Sequence, residues 1–258
     1  MRPLFFEIVP KIVVFDSGLG SLSIISPIQK KLKSEIIYFA DQDNYPYGTK
    51  SIPNLEKIIR STISKLQERF HPDIVIIGSN TPSLLLDVTR NRKIIGVYPP
   101  LKEACRKTKS GTIAILATRS VVESSALSSY IRKNVPAKIK VIKVNVSALV
   151  DLVESGKFIS EKEFCKKIIR KILGSVLRKA DVATLSSTHL PFLLPMLKEI
   201  FPDVAFLDPA DSLASQLTKM LRHDKSKNDT LKIFASGDIK TLQRHLHKIG
   251  ITNKVNPL

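Results

Sequence analysis

The sequence predicts an α/β protein of two pseudo-symmetric halves, each built on a parallel sheet. Short apolar runs alternate with amphipathic stretches along the 258 residues, which is the pattern of repeated βαβ units. The pattern occurs twice, and Pro99 and Pro100 punctuate the join. The length suits one large core or two small ones. With 43% hydrophobic and 25% charged residues, the chain has the composition of a folded protein.

In the first half, runs at 12–15, 35–39, 74–77 and 93–97 are expected as buried strands. Residues 21–32, 52–69 and 83–91 between them carry helical periodicity. The second half repeats the logic, with strands at 112–116, 138–144, 182–185 and 204–207. A helix is expected from the first of these strands to about residue 133, and an amphipathic helix over 161–177. The tail adds an apolar run at 231–234 and a helix over 239–248, and its periodicity does not say which half it joins. The polar run 223–229 reads as an exposed loop, and there is no solenoid repeat or low-complexity segment.

Several function classes are excluded at once. Two cysteines, Cys105 and Cys165, are too few for a disulfide scaffold and fit a reducing cytoplasm. The opening residues lack a secretory signal, because Lys11 interrupts them and no small-residue cleavage site follows. No run of 18 apolar residues exists, so no membrane span is expected. The net charge of +18 can attract nucleic acid, anionic lipid or acidic metabolites. Yet the densest basic groups, Lys30, Lys31 and Lys33 and then Lys166, Lys167, Arg170 and Lys171, fall on expected helix faces. Only 6% of residues are aromatic, which leaves little for base stacking. A solvated face accounts for these groups, and a nucleic-acid surface has weak support. No zinc-finger spacing accompanies them, and no metal site is expected.

Four segments carry chemistry. In IVVFDSGLGS, residues 12–21, a strand ends and Asp-Ser-Gly-x-Gly leads into a helix. Gly18 and Gly20 are expected to let the backbone turn sharply and expose N–H groups, and the helix start favours an anion. Asp16 and Ser17 then fall at the carboxyl end of a parallel strand, where open α/β sheets bind ligands. A turn with a serine cap explains the same residues. DQDNYPYGTK, residues 41–50, is a loop at the same sheet edge, where Tyr47 offers a hydroxyl and Gly48 an amide. IIGSNTPS, residues 76–83, puts Ser79, Asn80 and Thr81 at a strand end, where capping a helix needs only one of them. TLSSTHLPFLLP, residues 184–195, ends a strand in Ser186, Ser187, Thr188 and His189. The last two segments share strand, serine, polar residues and helix, and read as matched sites in the two halves.

The succession DSGLGS, NYPYGTKS, GSNTPS, ESGK and SSTHLP, from Lys11 to about Ala214, resembles the aspartate/glutamate racemase superfamily, most closely the glutamate racemases. The resemblance implies one α/β domain over 11–98 plus about 210–258, to which the tail returns, and a second over 99–209. It places a small amino dicarboxylate in the cleft between them and implies no cofactor. In that superfamily two cysteines, one per domain, face opposite sides of the substrate Cα; one removes the proton as thiolate and the other returns it as thiol. The family motifs Cys-Asn-Thr and Gly-Cys-Thr-His fall on Ser79 and Ser187, so both thiols are missing. A serine hydroxyl is a far weaker acid and acts only beside a strong base. Cys105 and Cys165 lie on expected helices away from strand ends and do not replace them. The resemblance assigns Asp16 to assist at the first cysteine position, and His189 and Glu154 at the second. It assigns Ser17, Tyr47, Gly48, Asn80, Thr81, Thr118 and Thr188 to hold the ligand's carboxylates and amine. Val121 falls at or beside a ligand-binding threonine, which removes one hydrogen bond.

Three functions stay open on these residues. One is racemisation of glutamate or aspartate with Ser79 and Ser187, or a water, carrying protons. Another is a diverged enzyme using Ser187 with His189. The third is a non-catalytic pseudoenzyme that closes on an amino dicarboxylate and reports the closure to a partner. The resemblance leaves a homodimer open, with no interface legible in the sequence. Residues 1–10 read either as a true extension or as the product of a mis-set start.

Overall fold

Within each apolar run, neighbouring side chains point to opposite faces, and in the computed structural model both faces are covered. The structure describes residues 9–86, 91–221 and 229–258. In β1 (Lys11–Asp16), Ile12 and Val14 join one core while Val13 and Phe15 join another on the opposite face. This is why the strands lack polar alternation: neither face meets water.

The first half continues with α1 (Leu22–Lys31), β2 (Glu35–Asp41), short 3-10 turns at Gln42–Asn44 and Tyr47–Thr49, α2 (Ile52–Phe70), β3 (Ile74–Ile77), α3 (Asn80–Leu85) and β4 (Ile94–Gly96). The second comprises α4 (Leu101–Lys107), β5 (Thr112–Ala117), α5 (Arg119–Val122), α6 (Ser125–Asn134), β6 (Lys140–Asn145), α7 (Ser147–Glu154), α8 (Lys157–Ser160) and α9 (Lys162–Leu177). It ends with β7 (Val182–Ser186), a 3-10 turn at Leu190–Leu193, α10 (Leu194–Ile200) and β8 (Ala205–Leu207). The tail supplies α11 (Ala210–Met220), β9 (Thr230–Ser236), α12 (Ile239–Lys248) and β10 (Val255–Pro257).

Two parallel sheets result, with orders β10-β9-β2-β1-β3-β4 and β6-β5-β7-β8. β9 lies beside β2 from Glu35↔Thr230 to Asp41↔Ser236, so the tail extends the first sheet. Leu213, Ala214 and Leu217 of α11 join the same core as α1. The second sheet is likewise covered on both faces, by cores containing Leu116 and Leu185 on one side and Ile115 and Val182 on the other.

Two expectations need correction. The helix expected over 83–91 begins earlier, at Asn80, and ends at Leu85, so Ser79 and not Ser83 stands at its start. The helix expected to run to residue 133 is two helices. Ser124 interrupts it with extended backbone and caps α6 by accepting the Leu127 N–H at 3.0 Å. α7, α8, α11 and β10 carry no expectation from the sequence. The expected loop at 223–228, residues 1–8 of the opening and residues 87–90 of the expected helix lie outside the described residues.

Strand order positions the site. In the first sheet the order reverses at β1, flanked by β2 and β3; in the second it reverses at β5, flanked by β6 and β7. The crevice at such a switch point, beyond the carboxyl ends of the strands, is where α/β sheets take ligands. Asp16 ends β1 there, and Ser79, Thr118 and Ser187 follow β3, β5 and β7.

Candidate active site

The two switch points face one another, and a small cavity of about 50 Å³ lies between them. Asp16, Ser17, Tyr47, Gly48, Ser79, Asn80 and Thr81 border it from the first half, and Thr118, Ser187, Thr188 and His189 from the second. Glu154 stands behind His189. Tyr45, Pro46 and Val150 also border the cavity and were not singled out from the sequence, and Ser186, named there only as a strand end, borders it too. Tyr45, Pro46 and Ser186 lie inside quoted motifs. Val150 sits in the unforeseen α7 and had no signal.

Asp16 ends β1 and is 1% exposed. Its Oδ1 accepts the Ser17 N–H at 2.7 Å, and its Oδ2 accepts the Thr188 hydroxyl at 3.1 Å across the cleft. Burial pushes its pKa up to about 6; the nearby His189 and these hydrogen bonds pull the other way without winning. His189 is buried as well. Burial disfavours its charge, but the hydrogen bond and charge of Glu154, with Asp16 and Asp151, outweigh it and raise its pKa. The Nε2 of His189 bonds the Glu154 carboxylate, and its Nδ1 is 3.4 Å from the Ser187 Oγ. The separation of 3.4 Å between Ser187 Oγ and His189 Nδ1 is long for a proton transfer in the unliganded site.

Gly18 and Gly20 lie in the sharp turn after β1, as expected, without a positive φ; close approach by the other half also requires them. A Cβ on Gly18 would lie 2.1 Å from Glu154 Oε1, and one on Gly20 2.5 Å from Thr188 Oγ1. The anion expected at this turn is the protein's own: Glu154 Oε1 accepts the Leu19 N–H at 2.7 Å. Ser23 adds a bond to the Thr188 carbonyl at 2.8 Å. Together these contacts hold the halves shut.

Tyr47 borders the cavity, and its hydroxyl donates to Asp41 at 2.8 Å inside the first half. At the cavity wall the hydroxyls of Thr81 and Thr118 are 3.3 Å apart, and Ser120, outside that wall, lies 3.3 Å beyond Thr118. Asn80 Nδ2 donates to the Val97 carbonyl at 2.9 Å, while its buried Oδ1 has no partner among the described residues. Val121 is fully buried in the core of the second half and does not border the cavity. Neither cysteine borders it: Cys105 lies on α4 and Cys165 is buried on α9, and burial pushes both thiols up, away from thiolate. Among the described residues no three His, Cys, Asp or Glu side chains form a metal cluster. No helix among them is long and apolar enough to cross a membrane.

No protein-family profile matches the chain. The glutamate racemase of Photorhabdus laumondii is 30% identical over 227 residues, covering 84% of this chain and 78% of that protein. The glutamate racemase of Buchnera aphidicola subsp. Schizaphis graminum is 32% identical over 227 residues, covering 85% and 88%. Among solved structures, Escherichia coli glutamate racemase, in complex with L-glutamate and the activator UDP-MurNAc-ala, superposes with a TM-score of 0.85. It is 25% identical, and the match covers 97% of this chain and 98% of that one.

Proposed function

Because the chain belongs to the glutamate racemase family, we propose that it binds a small amino dicarboxylate, glutamate or aspartate, in the cavity between Ser79 and Ser187. The halves, residues 11–98 with 210–258 and residues 99–209, close on it. The observation that carries the reading is the unpartnered Oδ1 of Asn80, a buried acceptor at the cavity wall. Leaving such an atom unpaired costs about 1–3 kcal/mol, and a ligand ammonium removes that cost. Around it, Ser17, Thr81 and Thr118 supply hydroxyls for carboxylates, joined by Thr188 once its bond to Asp16 parts, and Glu154 favours the charged form of His189. No cofactor is needed for this chemistry. The unbridged Cys105 and Cys165 fit the cytoplasm.

With serine on both faces, the chain is a glutamate-racemase-like binder that lacks the two-thiol proton transfer. One observation favours a residual reaction: a carboxyl titrating at about 6, as Asp16 does, both takes and gives protons near neutrality. A cavity of about 50 Å³ holds only one or two waters. The ligand therefore enters by parting the contacts of Glu154, Thr188 and Ser23 across the cleft.

Titration calorimetry with L- and D-glutamate and aspartate tests this reading. Binding is expected, and Thr81→Val should weaken it about 10- to 100-fold, the worth of a hydrogen bond to a charged group. The matching diacids without an amino group should bind more weakly, because Asn80 Oδ1 then stays unpaired. Failure of every amino dicarboxylate to bind would sink the reading.

A further inference from the structure

We propose that the outer face of α9 is a docking surface for the phosphate backbone of a nucleic-acid duplex. The proposal does not depend on which ligand the cleft holds. Between Phe164 and Ala180 the chain carries six cations, Lys166, Lys167, Arg170, Lys171, Arg178 and Lys179, and no acid. On sequence alone a solvated face accounts for them; the fold separates them by place and by partner. α9 buries Cys165, Ile169, Leu173 and Leu177 in the core of the second half. Lys167, Lys171, Gly174 and Arg178 follow at spacings of four, three and four residues, which puts them in one row on the opposite face. Arg178 stays in the row because it caps the helix with helical backbone angles. Arg170 flanks the row, and all four cationic side chains are exposed. At 1.5 Å per residue the row is about 16 Å long, the span of about five phosphates along one strand of a duplex.

Lys166 is held by Glu163 at 2.9 Å and Glu199 at 2.7 Å. Lys167, Arg170, Lys171 and Arg178 form no ion pair among the described residues. Arg178 shares a groove with Asp181, which Thr108 and Ser110 hold, and with Asp203, and it pairs with neither. Gly174 stands inside the row, where a Cβ would meet nothing within 4 Å. Packing therefore does not call for a glycine, which weakens a helix interior; its bare backbone lets a phosphate strand come close between Lys171 and Arg178. The other long helix, α2, has no such face. Glu56 and Glu68 interleave there with Lys57, Arg60, Lys65 and Arg69, and Glu56 pairs with Arg60 at 2.7 Å. Between Lys167 and Lys179 no apolar side chain is exposed, so a lipid surface finds nothing to take up. No aromatic ring lies in that stretch to stack on bases, which favours the backbone of a duplex over a single strand.

The test is fluorescence anisotropy of labelled DNA and RNA duplexes of arbitrary sequence, each about 20 base pairs long, between about 50 and 200 mM salt. The native protein should bind a duplex at the low end and release it steeply towards the high end. Either duplex bound in this way supports the proposal, and the tighter of the two identifies the partner. Neutralising the row with Lys167→Gln, Arg170→Gln, Lys171→Gln and Arg178→Gln should weaken binding at least about tenfold and flatten the slope of log affinity against log salt by about 3 to 4. Removing as many charges from α2, with Lys57→Gln, Arg60→Gln, Lys65→Gln and Arg69→Gln, should change affinity less than about threefold, because charges beyond a Debye length of the docked strand are screened. Thermal melts verify that both variants fold. Equal losses in the two variants would assign the binding to net charge and overturn the proposal. So would failure of the native protein to bind either duplex at the lowest salt, or binding to phosphatidylserine vesicles alone. None of these outcomes touches the amino dicarboxylate reading, which its own titration decides.

Discussion

Asp16→Asn is expected to stabilise the protein at pH 8 by about 3 kcal/mol and to change its stability little at pH 4. Burial raises the Asp16 carboxyl from 3.8 to about 6, and a difference of that size corresponds to about 3 kcal/mol. The folded state holds this proton more tightly than the unfolded state does. The group's contribution is therefore fully present below pH 3.8 and lost as pH rises through about 6. Above that, the native protein carries a buried carboxylate whose hydrogen bonds to Ser17 and Thr188 do not offset its desolvation. Asparagine keeps an acceptor and carries no charge. Urea melts at the two pH values measure the difference. An equal effect at both, or destabilisation at pH 8, would show that Asp16 bears no burial penalty. The variant should also bind glutamate and aspartate poorly, since a costly buried carboxylate at a cleft is the mark of a group kept for function.

Glu154→Ala is expected to cost about 3 kcal/mol at pH 5.5 and distinctly less at pH 9. Removing one partner of a buried ion pair costs about 3–5 kcal/mol because the other charge is left alone. The Glu154 side chain is 20% exposed and His189 8%, which places the loss at the lower end. The pH dependence follows from His189, whose folded pKa is raised by Glu154 despite burial. Its stabilisation is full below the unfolded value of 6.5 and disappears as pH rises through the folded value. Glu154→Gln separates charge from clasp: it keeps an acceptor for the Leu19 N–H and should recover part of the loss at both pH values. Equal deficits for Glu154→Ala at pH 5.5 and pH 9 would mean that the pair with His189 is not what the residue supplies.

The core of this site was legible because it is local. β3 is four apolar residues followed by Gly78, Ser79 and Asn80, so its end and its polar cluster can be read from adjacent positions. The same holds for β7 and the run to His189. What could not be read is contact between distant segments. Gly18 and Gly20 look like turn glycines and are, but the arrival of Glu154 and Thr188 from the other half, which also requires them, is not visible in the sequence. α7 escaped notice because Leu149, Val150, Leu152 and Val153 are all buried, which leaves too weak a polar face to mark a helix of eight residues. Glu154 at its end was therefore reached only through family likeness. Nor does the sequence show that Asp41, six residues before Tyr47, accepts its hydroxyl proton.

The central claim is that the cavity holds an amino dicarboxylate while lacking the thiols that move its Cα proton. The most direct measurement is Cα–H exchange of L- and D-glutamate and aspartate in D2O, followed by proton NMR. The native protein is compared with a Ser79→Cys/Ser187→Cys double variant. The account predicts exchange by the double variant and, in the native protein, exchange slower by at least about 100-fold, the lower range of what a positioned acid–base group contributes. Native exchange as fast as that of the double variant, or exchange by neither protein, would contradict it.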